Sequence, residues 1–335
     1  MWLSQTTLIV GALAVAGCQP LSQGLLEEVD LRPPTLLSTA ATAEAVVSLT
    51  FNEWVELDPD HLRIEPELGQ VAATPGETVE VVAGPQRPGA PYRLSATARD
   101  ATGNTTWFVT AFWGHNPRPP TLLINELTTQ GSATRPDAVE LLAVTAGNLG
   151  GITVFDGVPG NFGDRVVMPP IEVLAGQFIV VHATDSGLGE DETTSPDESA
   201  HPLAIAGAWD LWLESGSGLS GNNGVVTLAS HPEGELLDAV LYSNRTSSSD
   251  ERYRGFGTRT VMKRVDAAIA RGQWRTNGDL ATPEDAVSSA FTTSTRSMGR
   301  GADAADTDSA ADRHTVPTRG ASFGAANSDD RHQPN

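Results

Sequence analysis

Between residues 30 and 117, apolar and polar positions alternate in short runs broken by turn residues. Val46-Val47-Ser48-Leu49-Thr50-Phe51 leads into Asn52-Glu53-Trp54-Val55, and residues 61–64 (HLRI) and 78–82 (TVEVV) form two further runs. Tyr92-Arg93-Leu94-Ser95-Ala96-Thr97-Ala98 alternates cleanly, reaches a turn at residues 100–104 (DATGN), and is followed by residues 106–112 (TWFVTAF). Alternation with period two places every second side chain on one face, which is the pattern of a half-buried strand. Six or seven short strands in under 90 residues predict an immunoglobulin-like sandwich.

The same alternation returns in the second half, at residues 166–168, 178–181, 225–228 and 239–241, with Gly- and Asn-rich turns between. One segment breaks the rule. Val261, Val265 and Ile269 recur at helical spacing within residues 258–271, Met262 and Ala268 widen the stripe, and Gly272 follows as a C-cap. Trp274 is expected to pack against the end of that helix. The fold class is therefore all-β: two Ig-like β-sandwich domains in tandem, with a short helical insertion in the second. Residues 114–120 (GHNPRPP) form a Pro-rich joint, expected to be stiff and to hold the two domains apart.

Composition narrows the partners. With 42 acidic and 21 basic residues the net charge is −21, a field that opposes nucleic acid and anionic membrane surfaces. Cys18 is the single cysteine, so no internal disulfide can form. It follows an apolar run, residues 8–17 (LIVGALAVAG), far shorter than the roughly 20 apolar residues of a bilayer span. This arrangement resembles the lipobox of bacterial lipoproteins. The resemblance implies a signal peptide over residues 1–17, lipidation of Cys18, a spacer over 18–29 and an extracytoplasmic protein tethered to the membrane by lipid. It leaves open whether the inner or the outer membrane holds the anchor. Residues 1–7 (MWLSQTT) depart from the pattern, since they carry no Lys or Arg.

Phe51-Asn52-Glu53-Trp54-Val55, with Tyr92-Arg93-Leu94 and residues 100–104, is similar to motifs of bacterial Ig-like domains, which implies that residues 30–117 are one such domain. A second resemblance covers most of residues 118–328. Ile124-Asn125-Glu126-Leu127 and Ala138-Val139-Glu140-Leu141-Leu142 resemble the opening strands of lamin-tail domains. Residues 147–156, 171–182, 222–228 and 236–242 follow in the family's order. Ser297-Met298-Gly299-Arg300 and residues 320–327 (GASFGAAN) are similar to its closing motif. That family implies an Ig-like sandwich and little about activity. Residues 329–335 are expected to be a disordered tail.

Candidate chemistry is sparse. No two of the seven histidines stand at the i, i+4 spacing of a zinc helix, and no nucleophile elbow, Walker loop or dinucleotide fingerprint is present. No catalytic residue or cofactor is implied. His182 precedes Asp185 at a strand end, and reads either as part of a site or as a strand-terminal polar residue. Asp303, Asp306, Asp308 and Asp312 form an oxygen-rich tract that reads as a calcium loop or as a solvated acidic loop. Residues 189–198 (GEDETTSPDE) leave the same two readings. Residues 250–275 carry seven basic against three acidic side chains, as a receptor for an acidic partner or as the polar face of the helix. These readings give an expected non-catalytic binding or structural role, with an envelope protein or glycan as partner. The alternatives are an accessory subunit that localises a secreted hydrolase or nuclease, and a calcium-dependent adhesion module.

Overall fold

A computed structural model describes residues 30–184, 201–245 and 251–334. Cys18 with its leader and spacer, and the acidic loop 189–198, lie outside the described residues. Among the described residues no helix is long and apolar enough to cross a membrane. The fold is all-β with one α-helix.

The first module contains β1 (Leu36–Ala43), β2 (Val46–Leu57), β3 (Arg63–Glu65), β4 (Ala72–Thr74), β5 (Gly76–Val82), β6 (Pro91–Asp100) and β7 (Thr105–Trp113). One ladder runs β1-β2-β5-β4 and another β3-β6-β7; the end of β2 joins them by pairing Val55–Leu57 with Asp100–Ala98 of β6. The alternation read from the sequence decides what goes inside. Val47, Leu49, Phe51, Val79, Val81, Leu94, Ala96 and Phe112 form one apolar core, while their neighbours along each strand face outward.

The second module begins with β8 (Leu122–Thr128), β9 (Ala138–Ala143), β10 (Gly147–Asn148), β11 (Thr153–Val158), β12 (Asn161–Val167), β13 (Glu172–Val173) and β14 (Phe178–His182). It continues with β15 (Ala208–Trp212), β16 (Asn223–Ala229), β17 (Leu236–Ser243), the helix α1 (Arg259–Ala270), β18 (Val287–Ser288), β19 (Met298–Arg300) and β20 (Arg313–Thr315). A six-stranded sheet runs β15-β14-β9-β8-β19-β20 and a five-stranded sheet β12-β11-β16-β17-β18. Residues from both sheets, among them Ile124, Leu141, Val181, Val226 and Leu241, share a second apolar core. Among the described residues no ladder joins this module to the first.

The helix forms where its spacing predicts. Thr258 caps its start by accepting a hydrogen bond from Val261 N. Gly272, at φ +78°, ends it, with Gly272 N donating to Ile269 O and Gln273 N to Ala268 O. Trp274 is buried in the same core and donates its indole N–H to Asp285 O.

Two expectations need correction. The Pro-rich joint does not hold the modules apart. Asn116 Nδ2 donates to the carbonyls of Asn148 and Gly150 at 2.7 and 3.0 Å, and Asn148 N donates to Arg118 O. Gly89, at φ +69°, packs on Gly151 so closely that a Cβ would lie 1.9 Å from its nitrogen. A stiff joint this short fixes the contact instead of separating the modules. Nor are residues 329–334 a loose tail: Asp329 accepts from Ala302 N, His332 N donates to Thr315 O, and the His332 ring meets Phe291.

Candidate functional site

The outward face of the six-stranded sheet holds a row of buried ionisable groups. Cross-strand register sets Asp210, Val180, Glu140, Glu126, Gly299 and His314 in one row across β15, β14, β9, β8, β19 and β20. Side chains paired this way point to the same side of a sheet. A bulge makes this possible. Ile124 pairs with Leu141 and Glu126 with Glu140, so Asn125 is an extra residue in β8. The extra residue turns Ile124 into the core and Glu126 to the opposite face.

Both glutamates are fully buried. Ser297 Oγ donates to Glu126, as do the backbone N–H and hydroxyl of Ser322. Glu140 accepts from Asn125 Nδ2 at 2.7 Å and from Gly324 N. Asn327 closes the network, donating to Asn125 and to Arg300 O and accepting from Ser322. Residues 320–327 thus lie over two carboxylates nearly 200 positions away in the chain. Burial raises the pKa of Glu126; burial, with the charge of Glu126 beside it, pushes Glu140 up to about 8.

The bulge also frees backbone carbonyls, and two buried arginines take them. Arg300 Nε and the Arg313 guanidinium both donate to Ile124 O, and Arg313 also reaches Asn125 O. Arg300 pairs with Asp238 at 3.0 Å and with Asp306 at 3.0 Å, with Asp312 at 3.8 Å. Burial, aided by the neighbouring Arg300 charge, lowers Arg313 to about 9. Of the four aspartates of the acidic tract, Asp306 and Asp312 therefore pair with Arg300, Asp306 from an exposed position. Asp303 is exposed and accepts from Ala305 N, and Asp308 turns the loop at φ +55°. Among the described residues no group of three His, Cys, Asp or Glu side chains is placed to hold a metal ion.

His182 sits one row along the same face. Its Nε2 lies 2.7 Å from Asp210 Oδ1, its ring stacks on Trp212, and its Nδ1 is buried without a hydrogen-bond partner among the described residues. The pairing is with Asp210; Asp185 lies outside the described residues. Beyond this row the ends of β8, β9 and β14 border an open cleft of about 460 Å³. Thr129, Gln130, Ser132, Asp137, Thr184 and Ser217 line it with four glycines, and among the described residues no aromatic side chain or cation does. Asp137 is spent on Gly131 N and Leu219 N, and burial raises its pKa. The basic stretch 250–275 is partly used internally, through Arg254 to Asp266 and Arg264 to Asp156.

Sequence reasoning singled out His182 and missed Glu126, Glu140, Asp210, Asp238 and Arg313. Glutamate between apolar residues in a strand reads as a solvent-facing position of an alternating pattern. Nothing local says that a distant segment covers that face.

The family model TP_1001_2nd, described as a protein second domain, matches residues 120–315. A relative from Treponema pallidum (strain Nichols), described as an uncharacterized protein, is 32% identical over 153 residues; the match covers 45% of this chain and 39% of the relative's length. Among solved structures, a DUF4876 family protein from Bacteroides thetaiotaomicron aligns over 84% of this chain and 92% of its own, at 14% identity and a TM-score of 0.31.

Proposed function

The chain belongs to the TP_1001_2nd family, and on that footing we propose that it is a cell-envelope protein with a non-catalytic binding or structural role, carried by its second module and tethered through Cys18. One observation carries the reading. Glu126 and Glu140 on the outward sheet face are engaged with residues 320–327 and Asn125, Arg300 on the other face is paired with Asp238, and the one charged side chain that lines the open cleft among the described residues, Asp137, is bonded to backbone N–H groups. Acid–base chemistry needs a group within reach of a substrate; these groups are spent on closing the fold.

Two finer assignments support it. The order β1-β2-β5-β4 beside β3-β6-β7 supports reading the first module as a constant-type immunoglobulin sandwich. The segments that resemble lamin-tail motifs fall on β8, β9, β11, β14, β16, β17 and β19 in the family's order.

The test is co-sedimentation of the full chain with purified cell-wall sacculi, alongside Ser217→Trp, which fills the cleft. Retention of the natural chain and its loss in the variant are expected; no retention of either sinks the envelope-glycan role. Mass spectrometry of the mature N-terminus checks the tether separately, and an unmodified Cys18 removes it.

A further inference from the structure

Residues 320–327 cross the outward face of β8 and β9 without entering a ladder. Among the described residues, the one backbone–backbone bond that ties them to β8, β9 or the loop before β19 is Ala321 N to Thr295 O, at 3.4 Å. Their hold on the sheet comes instead from side chains. Ser322 gives its N–H and hydroxyl to Glu126, Gly324 gives its N–H to Glu140, and the Phe323 ring packs on Ala138, Val180 and Ala208. Beyond the segment the chain is pinned again, Asp329 accepting from Ala302 N and His332 N donating to Thr315 O. The segment is a strap, fixed beyond its far end and held in its middle by two carboxylates and one ring.

The charges around it make that hold conditional. Glu126 and Glu140 are fully buried neighbours on paired strands, and among the described residues neither contacts a cation. The strap (GASFGAAN) has no ionisable side chain of its own. Along the same row His314 stands beyond Gly299, with the Arg331 charge near it, and Asp210 stands beyond Val180, bonded to His182. Arg300 and Arg313 lie on the opposite face of the sheet. Two carboxylate charges under the closed strap therefore face each other away from solvent and without a counter-ion, at far greater cost than one. Glu140 accordingly keeps its proton up to about 8.

We propose that residues 320–327 are a proton-gated strap, closed over the sheet face while Glu140 is protonated and lifted locally from β8 and β9 when both carboxylates are charged. Lifting replaces the Gly324 N–H by water, and Glu140 releases its proton to solvent in the ordinary carboxylate range. Asn125 and Ser297, which belong to the sheet side, keep their bonds to the two carboxylates. The lifted strap uncovers the acidic row and the apolar patch of Ala138, Val180 and Ala208.

Hydrogen–deuterium exchange of the full chain, expressed as protection factors for the Ser322 and Gly324 amides against pH, tests this. Opening releases one proton between the open and closed pKa of Glu140. Protection should thus fall about tenfold per pH unit from about 5 to about 8 and level off above. At every pH these amides should be less protected than those of β9, because the strap opens without the sheet. Glu140→Gln should flatten the profile. Phe323→Ala, which loosens the strap without touching a charge, should lower protection at every pH and keep the slope. A flat profile in the natural chain, or a slope that survives in Glu140→Gln, overturns the proposal. So do strap amides as well protected as those of β9, or a slope lost in Phe323→Ala.

Discussion

The two modules solve the same problem with different materials. The first closes its strands over a core that is apolar throughout, from Val47 to Phe112. The second has such a core as well, yet carries buried carboxylates on the far side of one sheet and, on the near side, two buried arginines of which Arg300 reaches Asp238 of the other sheet. The first module can be completed from neighbouring strands. The second needs Ser322 and Gly324 to satisfy Glu126 and Glu140, with Asn327 holding Asn125 and Ser322, so it is complete only when residues 320–327 are in place. Unsatisfied buried charge costs far more than a missing methyl group. Stability in the second module is therefore the more non-local and the more sensitive to pH.

That contrast can be broken most sharply at Arg300. Arg300→Met leaves Asp238 buried and unpaired, and should cost the second module about 3–5 kcal/mol in urea unfolding of the full chain. In the first module, Leu49→Ala is expected to cost about 2–5 kcal/mol through its cavity alone. Its effect should not change with pH, because no ionisable group is left behind.

Glu140 sharpens the pH side of the comparison. Its folded pKa, about 8, lies above the ordinary 4.5, so the folded state holds the proton more tightly. Its contribution is fully present below about 4.5 and is lost as pH rises through about 8. Glu140→Gln mimics the protonated group and should flatten the pH dependence of the melting temperature across that window. It should match the natural chain at the acid end and exceed it at the alkaline end. Equal slopes for both proteins would contradict the assignment. The smallest effect is expected at the helix, where Thr258→Ala removes the cap to Val261 N and should cost about 1 kcal/mol by the same unfolding measurement.

How much was legible follows from where the information lies. Alternation over residues 46–51 and 92–98 reports burial directly, because a strand repeats every two residues. Those runs became β2 and β6 with the expected side inward. Thr258, Gly272 and the stripe of Val261, Val265 and Ile269 marked α1 for the same reason. Glu126 and Glu140 could not be placed. Their own strands permit an outward polar residue, and the segment that buries them follows more than 180 positions later. His182 was singled out, but its partner Asp210 lies 28 positions away on β15, a strand that pairs in parallel and has no local turn to betray it. The acidic tract read either as a calcium loop or as a solvated loop, and no local signal showed that Arg300 would pair with two of its aspartates.

The sequence by itself determined the all-β class, the joint near residue 117 and the single helix. Each depends on the order of neighbouring residues and on the period of the backbone. Only the tertiary structure decided that the joint packs tightly and that residues 320–327 cover a face of buried carboxylates. Those outcomes depend on which distant segments meet, and a local pattern carries no record of that.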